Sequence, residues 1–506
     1  MRPRPDRQPF MLIGLVAGLV AAVFTGGCVV GPNYQRPPAI TPDAYKEIDG
    51  WRVARPQDDT LRGPWWERFV DPQLNELEAR VDVSNQTLAA AEATYRQAAA
   101  LVRQARASYF PTVTVGVGYT RSRISSTVGT SSTNGGTSFT NGISSSNGPR
   151  SDFLLPIDVS WTPDLWGRIR RAVESNQAGA QASAGDLESA RLSMEAELAQ
   201  DYFQMRTLDA LERLLDETAA AYRKSLELTQ SRHASGIASA VDVTQALTQL
   251  RTTEAQAIDV GVQRAQLEHA IALLIGMPAS TFSLAPLPLD ASPPEIPVGV
   301  PSELLERRPD IAAAERRVAA ANAQIGVAVA AFYPTVTLGL SAGFESGSIA
   351  QWLAWPSRFW SVGPSISQTV YDGGLRRALT DEARAAYDAS VATYRQTVLG
   401  AFQGVEDNLA ALRILEDEAR VQDEAVAAAA RSVALTTDQY KAGVVSYLNV
   451  ITAQTIALTN QATAVQIRGR RMTAAVLLIQ ALGGGWNAAQ LPSADEVTRT
   501  AEPRAR

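Results

Sequence analysis

Apolar residues along this chain follow two rhythms, and the change from one to the other is abrupt. From Arg80 to Tyr109 they recur at helical spacing, with Leu88, Tyr95 and Val102 seven apart, a coiled-coil period. After Pro111 the period is two. Val113, Val115, Val117 and Tyr119 alternate with Thr and Gly, and Leu155, Ile157, Val159 and Trp161 resume the alternation. This predicts a hairpin over about 111–163. Ser302–Phe332 reads as helix again, Pro334 ends it, and Val336–Phe344 with Trp360–Val370 predict a second hairpin over about 334–372. Each strand is roughly 10 residues long, the length a tilted strand needs to cross a bilayer. Pro111 and Pro334 thus mark two places where helix gives way to membrane strand.

No proline falls between Pro163 and Pro278, or between Pro364 and Pro492. These stretches predict long helices at Trp166–His233 and Gly374–Tyr440, each about 100 Å at 1.5 Å per residue. Each ends at a glycine turn, at Gly236 or Gly443, and returns as a shorter helix, Ala238–Leu274 or Val445–Ala481. The chain is a duplication. "YFPTVTVGV" at Tyr109 matches "FYPTVTLGL" at Phe332, "GRIRRAV" at Gly167 matches "GGLRRAL" at Gly373, and "SLELTQSRHASGIASAVDV" at Ser225 matches "SVALTTDQYKAGVVSYLNV" at Ser432. Three matches in one order define two repeats, 80–276 and 302–485. The linker between them, 277–301, carries seven prolines and so cannot be helix. A polar tail, 486–506, follows the second repeat.

The N-terminus adds an address. Arg2, Arg4 and Arg7 precede the apolar run Phe10–Phe24, which is short for a membrane span, and "TGGC" follows. Residues 1–27 read as a secretory signal and 28–79 as an extended N-terminal segment beginning at Cys28. No later stretch is an uninterrupted apolar span, so a membrane crossing by the mature chain would use strands. The first hairpin differs from the second by Ser125–Pro149, almost all Ser, Thr, Gly and Asn, which predicts a solvated loop. A formal charge of −6 gives no reason to expect nucleic acid. Two histidines, His233 and His269, and one cysteine exclude a multi-ligand Cys/His zinc site and any disulfide within the chain. Neither histidine lies in a recognisable catalytic motif. Four strands cannot close a membrane barrel, so several chains must share one.

"GPNYQRPP" at Gly31, "WWERFVDPQLNELEARV" at Trp65, "VSWTPDLWGRIRRAV" at Val159 and "LLERRPDIAAAERRVAAANAQIGVAVAAFYP" at Leu304 together resemble the TolC-like outer-membrane efflux channels, and among them the lipoprotein, NodT-type branch. The resemblance covers about 28–485. It implies a mainly α fold with a membrane β portion: a homotrimer with a 12-stranded outer-membrane β-barrel and a periplasmic α-helical tunnel. The expected partners are a periplasmic adaptor, an inner-membrane pump and outer-membrane lipid, with no cofactor and no catalysis. Cys28 corresponds to the lipidated residue, although Thr25 departs from the usual signal. An acid six positions after the first tip glycine, here Asp242, is expected to bond a tyrosine three before the second, here Tyr440, and so shut the entrance. Asp242 could equally serve a helix N-terminus, and Tyr440 could simply pack. The further acids of the family entrance are absent, their places taken by Val445, Asn449 and Thr452. The alternatives are a type I protein-secretion channel and a coiled-coil structural lipoprotein. The second leaves the hairpins without a purpose.

Overall fold

The computed structural model describes residues 29–39, 41–47, 63–123, 149–296 and 304–499. The signal 1–27, Cys28 and almost all of Ser125–Pro149 lie outside the described residues. The chain is mainly helical. Helices α1 (Pro72–Ser84) and α2 (Gln86–Ala107) precede strands β1 (Thr112–Val115), β2 (Gly118–Ser122) and β3 (Arg150–Trp161). The long helix α3 (Arg168–Ala234) and its return α4 (Ala240–Leu274) complete the first repeat. The second runs α5 (Leu304–Arg307), α6 (Pro309–Ala330), β4 (Thr335–Ser346), β5 (Arg358–Ser367), α7 (Leu375–Lys441) and α8 (Tyr447–Ala481), before a short α9 (Ala494–Arg499).

Both helices that lead into hairpins are broken where the sequence predicts continuity. Asn85 ends α1, and its side-chain oxygen accepts from the backbone of Thr87 and Leu88 to start α2. Its amide also donates to the Leu274 carbonyl. In the second repeat Pro309 opens α6, and the residue before a proline is disfavoured in helix, so Arg308 interrupts the run. The segment expected to be extended as far as residue 79 contains helix α1 and a 3-10 turn at Trp65–Phe69. Asp71 caps α1 by accepting from Gln73 and Leu74, and Pro72 fits the first helical position.

The residues divide into two compact units. The first comprises Met1–Tyr34, Ala100–Asn176 and Ala320–Tyr387; the second comprises Gln35–Ala99, Gln177–Ala319 and Asp388–Arg506. In the first, one antiparallel sheet runs β1-β3-β4-β5, with β2 following β1 along the same edge of β3. The expected single strand Val113–Tyr119 is split because Pro156 sits opposite it. The Pro156 carbonyl accepts from Gly116, but proline has no N–H to donate back. The "GPNY" stretch is held in the same unit. Arg171, only 4% exposed, donates to the carbonyls of Val30 and Gly31 and to the Asn33 side chain, while Asn322 donates to the Pro32 carbonyl. Gly31 lies at φ +96°, and a β-carbon there would stand 2.5 Å from the Gly326 α-carbon. Only glycine fits.

The second unit packs its linker onto the helices through buried charge. Arg206 Nη1 donates to Asp209 Oδ2 at 2.8 Å and to the Ala285 carbonyl at 2.9 Å. Its other nitrogen, Nη2, bonds Gln73. Asp209 also accepts from Arg264 Nε at 2.6 Å and from the Leu287 backbone at 2.8 Å. Arg264 donates to the Leu284 carbonyl, and Glu268 accepts from the Leu284 backbone. Beyond a 3-10 turn at Ala279–Thr281, the described part of the proline-rich linker, 277–296, has no ladder of its own, and these side chains bond its backbone. Trp65, 2% exposed, anchors the N-terminal segment of this unit by donating its indole N–H to Glu195 at 2.9 Å.

Candidate functional site

The sheet has two chemically distinct faces. Along one, the cross-strand rows read Val113–Val159–Leu340–Val362 and Val115–Ile157–Ala342–Trp360. Along the other they read Thr114–Asp158–Ser341–Ser361 and Thr112–Ser160–Gly339–Gly363. The alternation is kept in register through these rows, so the central part of each face is uniform. Val113, Val115, Trp360, Val362 and Ile366 on the apolar face are 60–74% exposed. Aromatic residues gather at both ends of the strands. Trp166 stacks on Tyr333 (5.0 Å) and donates to the Pro334 carbonyl at the helix end, while Phe153 meets Tyr119 and Trp352 at the other. Each hairpin edge of the sheet, β1 with β2 on one side and β5 on the other, lacks a pairing partner among the described residues.

Pro111 and Pro334 each stand directly before a strand, and the turns that deliver them are alike. In the first copy Ser108, Tyr109 and Phe110 donate to Ala105, Arg106 and Ala107; in the second Ala331, Phe332 and Tyr333 donate to Ala328, Val329 and Ala330. Both helices tighten to i→i+3 bonding in their last turn and then stop at proline.

The two helix tips also repeat. Gly236 (φ +73°) and Gly443 (φ +75°) occupy the left-handed position after α3 and α7. Ile237 then donates to Arg232 and Val444 to Gln439, the closing bond of a Schellman turn. The starts of the return helices differ. Ser239 and Asp242 form a capping box, each side chain bonding the other's backbone N–H at 3.1–3.2 Å. Ser446 makes no such bond, and Asn449 holds the place of Asp242.

Tyr440 is 5% exposed in a cluster with Tyr222, Leu226, Leu250, Tyr447 and Val450. Its ring lies 5.2 Å from that of Tyr447, and its buried hydroxyl has no hydrogen-bond partner among the described residues. The structure therefore does not join Asp242 to Tyr440; it places the carboxylate in the helix cap and leaves the hydroxyl open. Arg232 was not singled out by the sequence. It spans the two tips, with its guanidinium 4.9 Å from the Tyr440 ring centre and donating to the Lys441 carbonyl at 3.1 Å. Its one sequence signal is a basic residue in a last helical turn. His233 Nδ1 lies 2.9 Å from the Ala238 carbonyl, within the first turn.

A family model described as outer membrane efflux protein matches residues 79–277 and 300–484. The toluene efflux pump outer membrane protein TtgC of Pseudomonas putida is 30% identical over 479 residues, covering 94% of this chain and 96% of its own. The pyoverdine export outer membrane protein OpmQ of Pseudomonas aeruginosa is 31% identical over 423 residues, 83% of this chain and 87% of its own. The solved structure of the outer-membrane channel OprN superposes with a TM-score of 0.81 at 29% identity, covering 91% of this chain and all of that one.

Proposed function

Because the chain belongs to the outer membrane efflux protein family, we propose that three copies close one barrel of 12 strands, four per copy with β1 and β2 counted as a single interrupted strand. The chain is an outer-membrane channel of a tripartite efflux system. Its helices extend the duct into the periplasm toward an adaptor and an inner-membrane pump. The two-faced sheet carries this reading. Among the described residues no helix is long and apolar enough to cross a membrane. An exposed apolar face in register, rimmed by aromatics and backed by a polar face, fits a wall between lipid and water. Its open edges cannot remain unpaired in hydrocarbon, so pairing with the next copy supplies closure. Small molecules are the favoured cargo over secreted protein, since the relatives are named for toluene efflux and pyoverdine export.

At the tips, Asp242 has two uses open to it. Leaving its cap costs about 1 kcal/mol. A bond from the buried Tyr440 hydroxyl to a carboxylate contributes about 1.5–3 kcal/mol. Closure of the entrance by that exchange, repeated in each copy, is strong enough to hold a resting duct and weak enough for an adaptor to reverse. In planar bilayers the wild type should show small, resting openings. Asp242→Ala combined with Tyr440→Phe should conduct more, and the single changes should be non-additive. A double variant with unchanged conductance removes the latch; a wild type and variant that never conduct remove the duct.

A further inference from the structure

The five strands carry six charged residues: Arg121, Arg150, Asp152, Asp158, Glu345 and Arg358. Five of them crowd the loop end of the sheet. Arg121 faces Ser151, Arg150 faces Ser122, Asp152 faces Thr120, Glu345 faces Leu154 and Arg358 faces Phe344. Arg123 follows just beyond β2, so both signs are present there within a few rows. The connecting stretches 124–149 and 347–357 contain no Asp, Glu, Lys or Arg.

Asp158 stands apart. It occupies the polar face between Thr114 on one side and Ser341 on the other, with Ser361 next in the row. It is exposed and makes no ion pair among the described residues. Six residues of strand separate it from Asp152, roughly 20 Å at about 3.3 Å per residue. That exceeds the Debye length of about 10 Å at 0.1 M salt, so the rim arginines do not offset it.

We propose that Asp158, resting on the barrel reading above, sets the ion preference of the duct where it crosses the outer membrane. In a closed barrel the polar face is the lumen, and each copy then places one carboxylate at the same depth. The one cation the strands place on that face, Arg150, lies eight residues along β3, roughly 26 Å away at about 3.3 Å per residue, so the ring enriches cations over anions in the lumen. Solutes carrying positive charge pass with an advantage over equally sized anions.

The reversal potential across a planar bilayer with unequal KCl on its two sides tests this, with both solutions near 0.1 M so that screening stays modest. Wild type should prefer potassium to chloride. Asp158→Asn, nearly the same shape, should bring the potential toward zero, and Asp158→Lys should invert its sign. Asp152→Asn, beside the rim arginines, should shift it less. Asp242 is present in all of these proteins, so differences among them isolate the strand charge. An unchanged reversal potential in conducting Asp158→Asn and Asp158→Lys channels overturns the proposal. A wild type that forms no channel overturns the barrel reading on which it rests.

Discussion

Replacing Asp209 with alanine should release the 277–296 linker from the helices and lower the stability of its unit by about 3–5 kcal/mol. Asp209 is fully buried and accepts from Arg206, Arg264 and the Leu287 backbone. Its loss leaves two guanidinium groups, 2% and 13% exposed, without their shared counter-charge. Arg206 also donates to Ala285, and Arg264 to Leu284, so both linker contacts lose their alignment together. Amide exchange reads this directly: the N–H groups of Leu284, Leu287 and Leu289 should lose protection. The control is the exposed pair Arg213–Glu217, 62% and 65% exposed, whose removal should change stability by less than about 1 kcal/mol. Full protection of the linker amides in Asp209→Ala would show that apolar packing alone holds the linker.

The second large effect is a pH dependence. Glu78 is fully buried, and neither carboxylate oxygen has a hydrogen-bond partner among the described residues. Burial first, then the neighbouring Glu195 and Asp82, hold its carboxyl well above the usual range. Glu195 is pushed up to about 7, chiefly by burial, with Asp82 and Glu188 adding to it and the Trp65 indole and Arg191 opposing. A folded pKa above the unfolded value means the folded state binds the extra proton. Stability from Glu195 is therefore complete below the ordinary carboxylate pKa near 4.5 and is lost as pH rises through about 7. At about 1.4 kcal/mol per unit, the loss is on the order of 3 kcal/mol. Glu195→Gln keeps an oxygen for Trp65 and removes the charge. It should melt higher than wild type at pH 8, match it near pH 5, and flatten the profile between. Glu78→Gln should act in the same direction. A wild type that melts at one temperature from pH 5 to pH 8 would refute the coupling.

What the sequence made legible follows from which constraints are periodic. The strands were plain because one face meets a uniform apolar surface, so Val113, Val115, Val159 and Leu340 had to alternate. The long helices were plain because nothing interrupts them until Gly236 and Gly443. The breaks at Asn85 and Arg308 escaped because apolar spacing runs through them; Asp71-Pro72 and Pro309 were the available signals for the helix starts. Pro156 reads as one more strand residue until its partner is known, and only then explains why β1 and β2 separate. Arg206, Asp209 and Arg264 were invisible for a different reason. Arg264 lies 55 residues from Asp209 along the helices, yet the two meet on a linker that has no periodicity at all. At the tips the glycines were legible, while the capping box of Asp242 and the Arg232 bridge depend on which side chains face one another.

The number of copies in the assembly tests the account most directly. Four strands per chain permit eight in a dimer, and membrane barrels begin at about that size, so strand count alone does not choose. The mass of the full-length protein, extracted from outer membranes in mild detergent and measured intact, decides it. Three copies, each with both sheet edges paired to a neighbour, is the predicted result. A stable assembly of one, two or four copies would contradict the barrel proposed here.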